Sequence, residues 1–136
     1  MLEGEVINYF VSRFPFELKG LTIGLVGDLG AGKTHLVRNV LSGCAAGYDD
    51  QVSSPTYNLC NNYNDDELNV NHFDLYRIEA EEELYDIGLW ESIGNQKDLT
   101  LIEWVDLYPE AQQRCDVIIK IKIVSDDRRQ YKLIEN

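Results

Sequence analysis

The chain has 136 residues, which fits a single domain on a prior of roughly 150 residues per domain. Hydrophobic residues make up 44% and charged residues 26%, a folding composition, and no run of about 18 apolar residues exists to form a membrane span. Acidic residues outnumber basic ones 24 to 12, and the net charge of −12 sits between Asp65 and Glu110, a stretch that would repel a phosphate backbone and argues against direct nucleic-acid binding.

Val6, Ile7, Phe10, Val11 and Phe14 recur at helical spacing and predict a first helix over residues 3–13. After Gly20, the run Leu21-Thr22-Ile23-Gly24-Leu25-Val26 reads as a buried strand. A glycine-rich turn follows, and Leu36, Val37, Val40 and Leu41 restore the helical period to about Ser42. Ser53 to Tyr63 reads as extended and polar, with Pro55 biasing Ser54 away from helix. A strand is expected over Leu68 to Asp74, an acidic helix over Ala80 to Leu89, and a second buried strand at Leu99-Thr100-Leu101-Ile102. Ile119, Ile121 and Ile123 alternate with Lys120 and Lys122 as a half-exposed strand. Ser125-Asp126-Asp127 turns it into a closing strand from Gln130 to Ile134. This order predicts an α/β fold with a mixed sheet flanked by helices and a closing β-hairpin.

Cys44, Cys60 and Cys115 are odd in number and in no metal-ligand spacing, and Met1-Leu2-Glu3-Gly4-Glu5 is unlike a signal peptide. Both features suit reduced thiols in a cytoplasmic protein.

Gly27-Asp28-Leu29-Gly30-Ala31-Gly32-Lys33-Thr34 fits the phosphate-loop pattern G-x-x-x-x-G-K-[ST], between a strand and a helix as that loop requires. Backbone N–H groups converge on phosphate oxygens only where no Cβ intrudes, which accounts for glycines at 27, 30 and 32. The helix that follows aims its unsatisfied N–H groups at the same place. Lys33 is expected on the β- and γ-phosphates of a nucleotide, the Thr34 hydroxyl on Mg²⁺, and the nucleotide contacts to extend to His35. A second acidic group at a strand end is needed to hold the metal or orient water, and Asp74 and Glu103 both qualify. Glu103 follows the better apolar run, so Thr34 and Glu103 are expected as Mg²⁺ ligands with Asp74 orienting water, and the sequence leaves open which of the two carboxylates takes which role. His72 alone reads as a hydrogen-bonded sheet residue, and His35 as a helix-surface residue.

The class of phosphate-loop protein is narrowed by what is missing. Asn95-Gln96-Lys97-Asp98 has the letters of a guanine-reading sequence in the wrong order. A small-molecule kinase, the alternative reading, normally carries several lid arginines, and Arg77 is alone between residues 39 and 113.

Beyond the loop, the chain carries Ser54-Pro55-Thr56-Tyr57-Asn58-Leu59 and His72-Phe73-Asp74-Leu75-Tyr76-Arg77. An acidic helix from Glu82-Glu83-Leu84 to Gly88-Leu89 and Leu101-Ile102-Glu103-Trp104 follow in that order. With these elements it resembles the TsaE (YjeE) family of bacterial ATPases required for threonylcarbamoyladenosine formation in tRNA, over residues 21 to about 106. Two departures stand out: His35 occupies a position where the family commonly has Thr or Ser, and the first helix lacks a preceding Thr. The resemblance implies binding of ATP and Mg²⁺ and a nucleotide cycle that supports two larger partners, TsaB and TsaD, with no direct tRNA contact. Ser54 and Thr56 lie on the extended segment after the loop's helix, the position of a γ-phosphate-sensing switch. Arg77 is expected on the switch or partner side, and Trp104, a core aromatic or a partner-facing anchor by its sequence, is drawn toward the latter by the resemblance.

Overall fold

A computed structural model describes residues 1–136. Helix α1 (Glu3–Val11) leads into strand β1 (Thr22–Val26), and helix α2 (Lys33–Cys44) follows the glycine-rich turn. Strands β2 (Cys60–Asn64) and β3 (Asn69–Asp74) form a hairpin. Two short helices, α3 (Glu82–Asp86) and α4 (Leu89–Ile93), precede strand β4 (Leu99–Glu103). Helix α5 (Pro109–Gln113) and the strands β5 (Val117–Ser125) and β6 (Arg128–Glu135) complete the chain.

The six strands form one sheet in the order β2-β3-β4-β1-β5-β6. β3, β4, β1 and β5 run parallel, while β2 and β6 add antiparallel edges. The centre is buried on both faces, and all five residues of β4 are buried, as continuous apolar runs require in a covered parallel sheet. On one face, Val6 and Phe10 of α1 and Leu36, Val37, Val40 and Leu41 of α2 pack on Ile23, Leu25, Leu101 and Ile119. On the other, Phe73, Ile102 and Ile118 pack with Leu84, Leu89, Val105 and Ala111. Gly24 permits that second layer: a Cβ there would lie 2.6 Å from Val105 Cγ1.

The mixed sheet, the flanking helices and the closing hairpin match the sequence expectation. Three details differ. The acidic helix expected over Ala80 to Leu89 is two helices, because Gly88 adopts φ +78° between α3 and α4. The polar stretch Ser53 to Tyr63 is a strand only from Cys60, with a turn at residues 56–58. The first helix ends at Val11 rather than residue 13.

Candidate functional site

The carboxyl ends of the parallel strands meet the N-terminus of α2, where open α/β sheets place their ligands. β1 ends at Val26, and Gly30 and Gly32 then take φ +79° and +95°, values that only glycine adopts without strain. Gly27 answers to a different constraint: a Cβ there would lie 2.9 Å from the carbonyl oxygen of Ile121 on β5. The third glycine of the loop is thus required by the neighbouring strand. The turn leaves the amides of Gly30, Gly32, Lys33, Thr34 and His35 without a protein acceptor, and no acidic residue stands in the first turn of α2 to compete for them. The Ala31 amide is occupied, donating to Asp28 O at 2.9 Å. Five free donors at a helix N-terminus form a site for an anion.

Lys33 is 5% exposed, and its ammonium donates to Gly27 O at 2.6 Å and Asp28 O at 3.1 Å. Its Nζ also lies 4.0 Å from the Trp104 ring centroid. Burial lowers the Lys33 pKa, while the charges of Glu103 and Asp74 act in the opposite direction. Trp104 reaches this position because the chain turns left-handed (φ +60°) directly after β4, and its ring also meets Tyr76 at 4.7 Å.

The two acidic candidates stand side by side, since Asp74 and Glu103 are register partners on β3 and β4. Both are buried, at 3% and 4% exposure. Glu103 Oε2 accepts from the Thr34 hydroxyl at 2.7 Å and from His72 Nε2 at 2.5 Å, which leaves Oε1 without a protein partner. Asp74 is bound differently: Oδ1 accepts from the Tyr76 amide at 2.9 Å and Oδ2 from the Thr56 hydroxyl at 3.0 Å. Burial raises the Asp74 pKa, with nearby Glu103 adding to it and the hydrogen bonds opposing. Ser54 Oγ lies 2.7 Å from Thr56 Oγ1, so the Ser-Pro-Thr segment is anchored on Asp74.

Leu29, Gly30, Gly32, Lys33, Thr34, His35, Ser54, Thr56, Asp74, Glu103 and Trp104 therefore line one cleft of about 240 Å³. Gly27 and Asp28 border a second cleft of about 700 Å³ between the loop and the β5–β6 hairpin, together with Lys120, Lys122 and Lys132. Ala31 turns its methyl into the core, at 1% exposure. Arg77 stands outside both clefts, exposed, with its guanidinium 4.9 Å from the Tyr57 ring centroid. His72 is a hydrogen-bonded sheet residue, as its sequence context suggests, and His35 is exposed on α2. Two participants escape sequence reasoning. Arg129 Nε donates to Ala31 O at 3.1 Å from the start of β6, across 98 residues of chain, and the Tyr63 hydroxyl lies 2.7 Å from His72 Nδ1. Nothing in local sequence pattern signals either contact.

The oxygen donors fit a magnesium ion. Mg²⁺ prefers one or two carboxylates with substrate phosphates and water over a cage made wholly of protein groups. Thr34 Oγ1 and the free Oε1 of Glu103 supply that partial set, and no group of three or more His, Cys, Asp or Glu side chains forms a closed metal cage.

A mixed sheet with a parallel centre and a glycine-rich loop opening onto a helix N-terminus defines a P-loop NTPase-like α/β protein. Residues 7–132 match the family model for the threonylcarbamoyl adenosine biosynthesis protein TsaE. The tRNA threonylcarbamoyladenosine biosynthesis protein TsaE of Rickettsia bellii is 35% identical over 126 residues, covering 92% of this chain and 85% of that one. The Haemophilus influenzae and Bacillus subtilis proteins of the same name are 39% and 38% identical, each over 85% of this chain and 71% and 70% of their own. The crystal structure of Bacillus subtilis YdiB superposes with a TM-score of 0.64 at 29% identity, over 99% of this chain and 81% of that one. The chain belongs to the TsaE family, whose role is threonylcarbamoyladenosine biosynthesis in tRNA.

Proposed function

We propose that this chain binds ATP with Mg²⁺ at the phosphate loop and hydrolyses it in support of a TsaB–TsaD complex that builds the modified adenosine. The observation that carries this reading is the set of unpartnered amides of Gly30, Gly32, Lys33, Thr34 and His35, in a cleft lined also by Glu103 and Trp104. These amides and the Lys33 ammonium hold the phosphates by charge-assisted hydrogen bonds. Lys33 gives up its bonds to Gly27 O and Asp28 O as it does so. The small cleft, about 240 Å³, is below the usual size of a nucleotide site, so the nucleoside extends past Gly27 and Asp28 into the larger one.

The metal supplies neutralisation of the charge that develops on the phosphate oxygens. Thr34 Oγ1, whose hydrogen goes to Glu103 Oε2, would offer the ion a lone pair, and the unpartnered Glu103 Oε1 would supply a second oxygen. Asp74, raised in pKa by burial, orients the attacking water through the oxygen it shares with Thr56. The Ser54–Thr56 segment senses the γ-phosphate through that hydroxyl contact. A small-molecule kinase is disfavoured, because Arg77 lies outside the cleft.

Titration with ATP and GTP, with and without Mg²⁺ and again with purified TsaB–TsaD, tests the proposal. Nucleotide-dependent complex formation with phosphate release supports it. Phosphate transfer to a small acceptor by the isolated chain, or ATP binding with no release under any condition, overturns the hydrolytic part.

A further inference from the structure

A line of buried hydrogen bonds runs sideways from the cleft through three strands, and phosphate binding does not use it. Glu103 Oε2 on β4 is 2.5 Å from His72 Nε2 on β3, and His72 Nδ1 is 2.7 Å from the Tyr63 hydroxyl on β2. That hydroxyl also lies 2.9 Å from Ser53 O and accepts from the Ser53 amide at 3.4 Å. His72 and Tyr63 are 0% and 2% exposed. Ser53 is the residue immediately before the Ser54-Pro55-Thr56 segment.

Burying an imidazole beside a carboxylate is costly unless every polar atom is satisfied, and an apolar core of the same volume avoids that cost. Here the Tyr63 hydroxyl has one hydrogen for two acceptors, His72 Nδ1 and Ser53 O, and accepts from the Ser53 amide, so it joins the imidazole to the backbone whichever of the two takes that hydrogen. One end of the line is the Glu103 carboxylate and the other is the entrance to the Ser54–Thr56 segment. A ligating carboxylate whose second oxygen is held by a fixed donor is oriented before the ion arrives. Both Thr34 and His72 grip the same oxygen, Oε2, and so fix which oxygen is left for the ion.

We propose that His72 is a positioning residue that sets the Glu103 carboxylate for the metal, and that Tyr63 ties that setting to the backbone at Ser53. Metal loading and ordering of the Ser54–Thr56 segment are thereby one event. The inference rests on the reading of Glu103 as a group facing Mg²⁺.

The test compares ATP affinity by calorimetry with and without Mg²⁺, so that metal-free affinity reports an intact loop and the gain on adding Mg²⁺ reports the metal arrangement. His72→Leu is expected to reduce that gain by about tenfold while metal-free affinity stays within about twofold. His72→Gln, which keeps an N–H donor toward Glu103, is expected to recover most of it. Tyr63→Phe, a change of one oxygen that keeps the ring, is expected to remove the hydrogen-exchange protection that Mg²⁺–ATP confers on residues 53–57. If His72→Leu does not fold, His72→Gln and Tyr63→Phe still decide the matter. A full metal gain in His72→Leu, equal losses in the Leu and Gln variants, or unchanged protection in Tyr63→Phe overturns the proposal. Glu103→Gln separates the two levels. If it loses the gain while His72→Leu keeps it, His72 positioning fails alone, and if it keeps the gain, the reading of Glu103 fails and takes the relay with it.

Discussion

The Lys33 ammonium and the Trp104 indole, 71 positions apart in sequence, meet with Nζ 4.0 Å from the ring centroid. A cation over an indole face is held by the ring quadrupole, and the attraction strengthens when water is excluded. The tryptophan therefore parks the Lys33 ammonium beside its own loop carbonyls, Gly27 O and Asp28 O.

This contact predicts an optical signal. In a Trp90→Phe background Trp104 is the only tryptophan, and ATP bound as proposed would draw the ammonium off its ring. A change in emission on adding ATP is expected, absent when Lys33 is also changed to Ala. An ATP-saturated protein with unaltered Trp104 emission would contradict the parked geometry.

Asp74 predicts a pH dependence. Burial, and to a lesser degree Glu103, raises its pKa in the folded chain, so the folded state holds the proton more tightly than the unfolded state. The resulting stabilisation is complete below the unfolded carboxylate pKa of about 4 and is lost as pH rises through the higher folded value. Asp74→Asn cannot ionise and escapes that loss. Its melting temperature relative to the parent is expected to rise between pH 4 and pH 7, together with a loss of hydrolysis. A difference in melting temperature that does not vary with pH would show that Asp74 is not destabilised by ionisation.

Gly27→Ala is expected to destabilise the fold by about 1–3 kcal/mol, because its Cβ would meet the Ile121 carbonyl at 2.9 Å and the Ala31 methyl at 3.1 Å. Chemical denaturation measures this directly. A neutral effect would mean that β5 yields more than a packed strand allows.

Much of this was legible in the sequence, and the limit has a physical reason. The loop from Gly27 to Thr34 is local: its glycines, lysine and following helix are set by contacts within a few residues, so pattern alone locates it. Glu103 and Asp74 were legible as strand-end carboxylates, because apolar runs precede them. Their division of labour was not, since it depends on cross-strand partners. Thr34 and His72 take one oxygen of Glu103, whereas Thr56 and the Tyr76 amide take both oxygens of Asp74. The break at Gly88 was missed because a glycine inside an acidic helical pattern is tolerable on propensity, and only its positive φ ends the helix. Arg129 on Ala31 is a tertiary contact with no sequence periodicity behind it.

The acidic segment predicts how a partner docks. Glu81 and Glu82 are exposed and Glu83 half-buried at the start of α3, and charges of this kind act on association rate and are screened by salt. Replacing Glu81, Glu82 and Glu83 together by Gln is expected to slow association with TsaB–TsaD at low salt and to leave the ATP affinity of the isolated chain unchanged. An unchanged on-rate at low salt would assign these glutamates to solvation alone.

If the loop at Gly27–Thr34 holds the phosphates of ATP, Lys33 is its principal charge. Calorimetric titration of ATP into the parent and into Lys33→Ala measures that contribution. The parent is expected to bind, and the variant to bind about ten- to a hundredfold more weakly, the equivalent of a charge-assisted hydrogen bond of about 1.5–3 kcal/mol. Equal affinity in the two proteins would contradict the account.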